Sequence, residues 1–262
     1  MFEFHADRKT YFRHQKENAQ RYVIPFIEAQ QALPKLARVL EIGCAEGGVL
    51  AAFVAHGCYG VGVELDGQRL AMANDFLSEE VAAEKVKLIN KNIYDFDFQQ
   101  EAGDKFDLIV LKDVIEHIHD QSRLLSRMKD MLAPSGRIFF GFPPWQMPFG
   151  GHQQICQNKW AAKLPYYHLL PKPMYVWLLR QFGESEDMIE ALVEIKETGI
   201  SLEQFERMLR AADYTFLRKT HFLINPIYQY KFGWQPREQF ALITHLPYIR
   251  NFLTTCGYYL VR

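Results

Sequence analysis

Residues 38–50 read Arg-Val-Leu-Glu-Ile-Gly-Cys-Ala-Glu-Gly-Gly-Val-Leu, and no other run constrains the fold as much. Val39, Leu40 and Ile42 have the composition of a short strand buried on both faces. Gly43 and Gly47 break that run, after which Val49, Leu50, Phe53 and Val54 recur at helical spacing. Strand, glycine turn and helix together form the first unit of a nucleotide-binding α/β sheet. The glycines let the backbone approach a ligand, and the helix N-terminus offers N–H groups without intrahelical partners. Two acids sharpen this reading. Glu41 keeps a carboxylate inside the strand just before the turn. Glu64 ends a second apolar run, residues 59–63, about 20 residues after the turn, where an acid grips ribose hydroxyls.

The chain continues in the same rhythm. Runs 86–89, 106–111 and 137–142 read as further strands, and residues 10–31 and 121–133 as amphipathic helices, with a turn at Pro134-Ser135-Gly136. Strands alternating with helices imply a parallel sheet. Ser201-Leu202-Glu203-Gln204 opens a helix with a capping signature, and it ends near Asp213. Residues 215–223 and 255–261 are β-like, with an aromatic insertion at 226–247 between them. The 142–152 segment holds three prolines and two glycines, so it is neither helix nor central strand. All four tryptophans and nine of the 13 tyrosines lie beyond Gly141, so an aromatic cap is expected there.

Composition excludes more than it assigns. A formal charge of −1 with 48% hydrophobic residues speaks against a disordered chain or a general nucleic-acid binder. Cys44, Cys58, Cys156 and Cys256 show no metal-binding spacing and read as reduced thiols of a cytoplasmic protein. No apolar run approaches the roughly 18 residues of a membrane span, and the N-terminal residues lack the apolar stretch of a signal peptide. Residues 39–152 carry 10 basic against 17 acidic side chains, which suits a cationic cofactor.

The Glu41-x-Gly43-x-Ala45-x-Gly47 turn resembles the first motif of the class I S-adenosylmethionine (SAM)-dependent methyltransferases, with Ala45 in place of the middle glycine. Asp113-Val114-Ile115-Glu116-His117 resembles a segment of the ubiquinone and menaquinone methyltransferase group within it, and Leu132-Ala133-Pro134-Ser135-Gly136 is similar to that family's Leu-x-Pro-Gly-Gly turn. The resemblance covers roughly residues 39–142. It implies a Rossmann-like, doubly wound α/β sheet of seven strands, the last antiparallel, with a helical, aromatic-rich cap. The implied division is an N-terminal helical cap (1–37), a cofactor-binding core (38–149), an inserted cap (150–200) and completion of the core (201–262).

The resemblance also implies SAM as cofactor and S-adenosylhomocysteine as product. The expected contacts are Glu41, Gly43, Cys44, Ala45 and Gly47 at the turn and Glu64 and Leu65 at the ribose. Asn92 and Ile93 are expected at the adenine, and Lys112 and Asp113 towards the methyl end. Tyr11, Phe12 and Arg13 either cover the cofactor or pack on the sheet. Methyl transfer needs alignment and, for a hydroxyl acceptor, a proton acceptor. His152, in a Gly-Gly loop after the fifth strand, is the expected base, followed by His117 and Glu116. In some relatives an acid-x-x-Glu-His segment binds a divalent metal, and Asp113, Glu116, His117 and His152 offer an analogous set. The same segment serves metal-free members, and no metal is assigned. The expected partner is a small, apolar or ring-bearing acceptor; no nucleic acid and no membrane span are expected, and no oligomeric state is specified. The alternatives are an NAD(P)-dependent oxidoreductase, from the loose Gly43-x-Ala45-x-x-Gly48 fingerprint, and a non-catalytic SAM-binding protein.

Overall fold

Eight strands make one sheet in the computed structural model, which describes residues 7–262. They are β1 (Arg38–Ile42), β2 (Tyr59–Glu64), β3 (Val86–Asn90), β4 (Phe106–Lys112), β5 (Leu132–Phe142), β6 (Phe216–Ile224), β7 (Arg237–Glu238) and β8 (Cys256–Val261). Their order across the sheet is β3-β2-β1-β4-β5-β8-β6-β7. The first five pair in parallel, and β8 runs antiparallel between β5 and β6. The seven expected strands are present with the closing strand antiparallel as expected, and β7 is one more than expected. It spans two residues of the aromatic insertion and pairs with the edge of β6. A strand that short carries no side-chain alternation to read.

Alternation along each strand divides the core between the two faces. Val39, Phe139 and Tyr258 pack with Phe53 and Phe26 on one face. Leu40, Phe140 and Tyr259 pack with Leu124, Met128 and Phe205 on the other. The central strands therefore read as continuous apolar runs, because both faces are covered. Chain order reverses between β1 and β4, and the crevice at the carboxyl ends of those two strands is where such sheets bind ligands.

Two local expectations change. The single helix expected over 10–31 is a helix Arg8–Asn18, a π-helical turn Ala19–Val23 and a short helix Ile24–Glu28. Pro25 has no N–H to continue the regular ladder, so the winding loosens just before it. Pro134-Ser135-Gly136 lies inside β5 instead of before it. Phe106 pairs with Leu132 and Leu108 with Arg137, so the intervening residues bulge out of the ladder.

The cap contains helices Lys172–Gln181 and Glu186–Thr198, with Tyr175, Leu179, Ile189 and Leu192 in a small core of their own. His168, fully buried, fastens the 142–152 loop beneath it: Nε2 meets the Trp145 carbonyl at 2.8 Å, and Gln153 donates to Nδ1 at 3.1 Å. Gly151 is required here, since a Cβ would lie 2.4 Å from His168. Among the described residues, no helix is long and apolar enough to cross a membrane.

Candidate active site

The glycine turn is held from three sides. Gly43 (φ 68°) faces Val114, whose Cγ2 would lie 2.6 Å from an added Cβ, and Gly47 (φ 80°) faces Leu77 at 2.7 Å. Ala45, at the position of the middle glycine, is also left-handed (φ 50°), a conformation that costs an L-residue about 1–2 kcal/mol. The helix Gly48–Ala55 starts directly after the turn. The leading helix lies across its first residue, where a Cβ on Gly48 would come within 2.5 Å of the Phe12 carbonyl oxygen. Phe12 is thus a packing residue, while Tyr11 lines the space over the turn together with Gln15, Glu41, Ala45 and Lys112.

Glu46 is the part of the turn that the sequence reading missed. Its side chain is 1% exposed and accepts from Arg8 at 2.9 Å and from Arg69 at 2.9 and 3.1 Å. The acid itself was visible in the motif. Its partners, 38 and 23 residues distant in the chain, were not.

Glu64 stands at the end of β2, as expected. Its Oε2 accepts from Ala45 N–H at 2.8 Å and its Oε1 from Asp66 N–H at 2.9 Å. A carboxylate has about four lone-pair sites, so both oxygens retain capacity for hydroxyl donors. Leu65 next to it is 69% exposed. Asn90 ties the Glu64 and Leu65 carbonyls from β3, at 2.8 and 3.0 Å, and was not singled out from sequence. Of the adenine pair, Asn92 is exposed with its Oδ1 on the Tyr94 N–H, whereas Ile93 belongs to the buried core. Cys44 is buried, its Sγ side against Gly62, and burial pushes the thiol well above its ordinary range.

At the end of β4, Lys112 donates to Asp113 Oδ2 at 2.6 Å. Burial opposes both charges, but the pairing wins: Lys112 is raised and Asp113 lowered from their ordinary values. Lys231, from the aromatic insertion, also acts on Asp113; burial brings it down to about 8, with Asp113 opposing that shift. Nothing in the sequence pointed to Lys231, because only the tertiary fold returns residues 228–232 to the leading helix. Glu41 is buried, and burial raises its carboxyl well above the usual range.

The β4 and β5 loops converge as the topology requires. The His117 and His152 rings lie 4.8 Å apart, edge to face. Glu116 is 4% exposed with neither carboxylate oxygen hydrogen-bonded, and burial followed by the Asp113 charge raises it well above the ordinary value. Donor atoms of Glu116, His117 and His152 lie within 4.8 Å of one another; Asp113 is outside that group. Loss of solvent lowers the His117 pKa, with Asp113 opposing. Asp113 (φ 57°) and His152 (φ 54°), like Ala45, sit in the left-handed region, so three strained residues ring this crevice.

Known proteins share part of this sequence and its fold. The 28% identity to ubiquinone biosynthesis O-methyltransferase of Coxiella burnetii runs over 118 residues, 45% of this chain and 47% of that protein. The protein of the same name from Aromatoleum aromaticum is 29% identical over 103 residues, 39% of this chain and 42% of its own length. The chain spans about half the length of the curated relatives it matches. In fold it is similar to the plantazolicin methyltransferase BpumL, solved with S-adenosylhomocysteine (TM-score 0.56, 12% identity, 99% of this chain and 87% of that one). It is equally similar to an S-adenosylmethionine-dependent methyltransferase from Clostridium acetobutylicum (TM-score 0.58, 11% identity, 94% and 91%). The family described as "Methyltransferase domain" matches residues 11–183. That match spans more than half of the chain, including the glycine turn and the loops after β4 and β5, and the chain belongs to the methyltransferase domain family.

Proposed function

We propose that this protein transfers a methyl group from SAM to a hydroxyl of a small, apolar or ring-bearing acceptor. One observation carries the reading: the glycine turn, the Lys112–Asp113 pair and the His117–His152 pair meet at one edge of the sheet. The donor set suits the cofactor: Glu41, the turn at Gly43–Ala45 and Lys112 line one space beneath Tyr11, and Glu64 at the end of β2 keeps acceptor capacity on both oxygens. Bound SAM supplies an electrophilic sulfonium methyl. The chain's own residues then do the positioning. Glu64 accepts from the ribose hydroxyls with Leu65 beside it, and Asn92 meets the adenine edge. Backbone groups of residues 43–47, with Glu41, Lys112 and Asp113, hold the amino-acid end. His152 accepts the acceptor's proton and His117 packs beside it, kept neutral by its lowered pKa. The relatives named for O-methylation support the hydroxyl, the aromatic cap supports the ring-bearing acceptor, and four buried thiols support a cytoplasmic setting.

Removing a general base costs about 10²–10⁴-fold in rate. His152→Ala is therefore expected to lose that much turnover while SAM affinity, read by calorimetry, stays within about twofold. Intact turnover with a hydroxyl acceptor would remove His152 from the mechanism. A second reading rests on Glu116, whose buried oxygens have no partner beside two imidazoles: the three side chains hold a divalent cation that orients the acceptor hydroxyl. Titration with Mg²⁺, Mn²⁺ and Zn²⁺ is expected to give binding that Glu116→Gln abolishes, and no heat from any of the three would end this reading.

A further inference from the structure

Acidic residues are missing from two long stretches of this chain. Residues 131–183 contain none and residues 214–262 contain only Glu238, while the two stretches together carry 11 lysines and arginines. The same stretches supply 13 of the 15 large apolar side chains that are exposed among the described residues. Chance surface exposure scatters such residues singly. Six of them lie in two segments that touch. Trp160 is 80% exposed, between the exposed Lys159 and Lys163. Leu164, one turn on, follows in the same loop, its N–H on the Trp160 carbonyl at 3.0 Å. Tyr166 then donates to the Phe252 carbonyl at 3.3 Å and packs on the Phe252 ring at 6.4 Å. Phe252 belongs to the short helix Ile249–Leu253, on which Ile249 and Leu253 are also exposed.

We propose that this seam between the 159–166 loop and the Ile249–Leu253 helix docks on the surface of an anionic lipid bilayer. The chemistry selects that occupant. Indole and phenol rings settle at the headgroup level, where one part of the ring is apolar and the other wet. Lysines beside them are attracted by anionic headgroups, and the acid beside the helix, Glu203, is taken up by the Tyr248 N–H, Arg250 and Asn251. Glu184, which follows the first acid-free stretch, is turned inward onto the Gln157 and Asn158 N–H groups. A second copy of the chain fits less well, because a two-fold contact sets Lys159 and Lys163 against their own equivalents. The seam is also tied to the crevice: Tyr166 N–H binds the Pro148 carbonyl at 2.8 Å, in the loop that carries His152. The inference stands apart from methyl transfer, since vesicle binding is measured without cofactor or acceptor.

The test is co-sedimentation of the full chain with vesicles of phosphatidylcholine alone and of phosphatidylcholine mixed with phosphatidylglycerol, at low and at high salt. Binding is expected only with phosphatidylglycerol present, weakening as salt is added. Lys159→Gln with Lys163→Gln is expected to weaken it about thirtyfold, from the loss of two juxtamembrane charges. Trp160→Ser is expected to remove most of the blue shift of tryptophan fluorescence on vesicle addition. An unchanged thermal midpoint in each variant shows that folding is not the cause. The proposal is overturned if the chain stays in the supernatant, if it binds both vesicle types alike, or if the variants bind like the parent. It is overturned equally if the chain forms a dimer that Trp160→Ser dissolves and phosphatidylglycerol leaves untouched. A chain that binds vesicles but not SAM would refute the proposed function and leave this inference standing.

Discussion

Glu64 does two things with one carboxylate. Its oxygens hold the Ala45 and Asp66 N–H groups, so it fixes the left-handed turn from below while facing the place proposed for the ribose. Hydrogen bonds to an ionised group are worth about 1.5–3 kcal/mol. Glu64→Ala is therefore expected to weaken SAM by about that amount, or roughly tenfold to 150-fold in Kd. It is also expected to lower stability, because the Ala45 and Asp66 N–H groups lose the acceptor that holds the turn. Calorimetry and urea unfolding of the same variant read the two effects. A stability loss with unchanged SAM affinity would mean that Glu64 serves the turn alone.

At the scale of elements, the helix Arg8–Asn18 closes the crevice. It is capped by Asp7, which accepts from Lys9 and Thr10 N–H, and pinned to the turn by Arg8 on Glu46. The space left between Tyr11, Glu41, Ala45 and Lys112 is about 20 Å³, room for about one water. The amino-acid end of SAM, proposed to lie there, needs more room than this, so the helix is expected to open and re-close around it. Amide exchange over residues 8–18 should slow when SAM or S-adenosylhomocysteine is added, and Arg8→Ala should speed exchange in the free protein. Equal exchange with and without ligand would make the helix a fixed part of the sheet's cover. The π-helical turn at Ala19–Val23 lies where such a movement would hinge.

Across the whole molecule, two buried histidines couple folding to pH. His168 fastens the cap to the 142–152 loop, and His221 meets Tyr259 Oη at 2.9 Å beside the Glu206–Arg250 network behind the sheet. Burial lowers each to about 4 from an unfolded value near 6.5. The neutral form is thus favoured on folding, and the unfolded chain binds more protons between those values. Each contributes stability that is complete above about 6.5 and is lost as pH falls towards about 4, up to about 3 kcal/mol per histidine. Glu41 and Glu116 work in the opposite sense: both are raised, so their contribution is complete below about 4.5 and is lost as pH rises towards their folded values. A difference measurement separates these effects. Between pH 7 and pH 5 the urea midpoint of the parent chain should drop relative to that of His168→Gln, the glutamate contributions being common to both and cancelling in the difference. An unaltered difference would show that His168 is not what acid attacks.

The order of strands and helices, the glycine turn and the residues at its edge could be read from sequence because they rest on local rules. Apolar period separates strand from helix, glycine is needed where φ is positive or a Cβ would clash, and an acid in a buried strand stands out against its surroundings. The sheet hid one strand from that reading, since the two residues of β7 carry no period. Leu132 to Phe142 reads as a turn and a strand, yet pairing across the bulge makes it one element. What the chain alone could not yield was distance between residues far apart along it. The Arg8 and Arg69 clasp on Glu46, the approach of Lys231 to Asp113 and the joining of Tyr166 to Phe252 each depend on how whole elements pack. Local sequence sets backbone preferences over a few residues, whereas these contacts are fixed only once both faces of the sheet have been buried. Tertiary structure alone therefore decided which polar residues stand together at the crevice and which apolar ones remain on the surface.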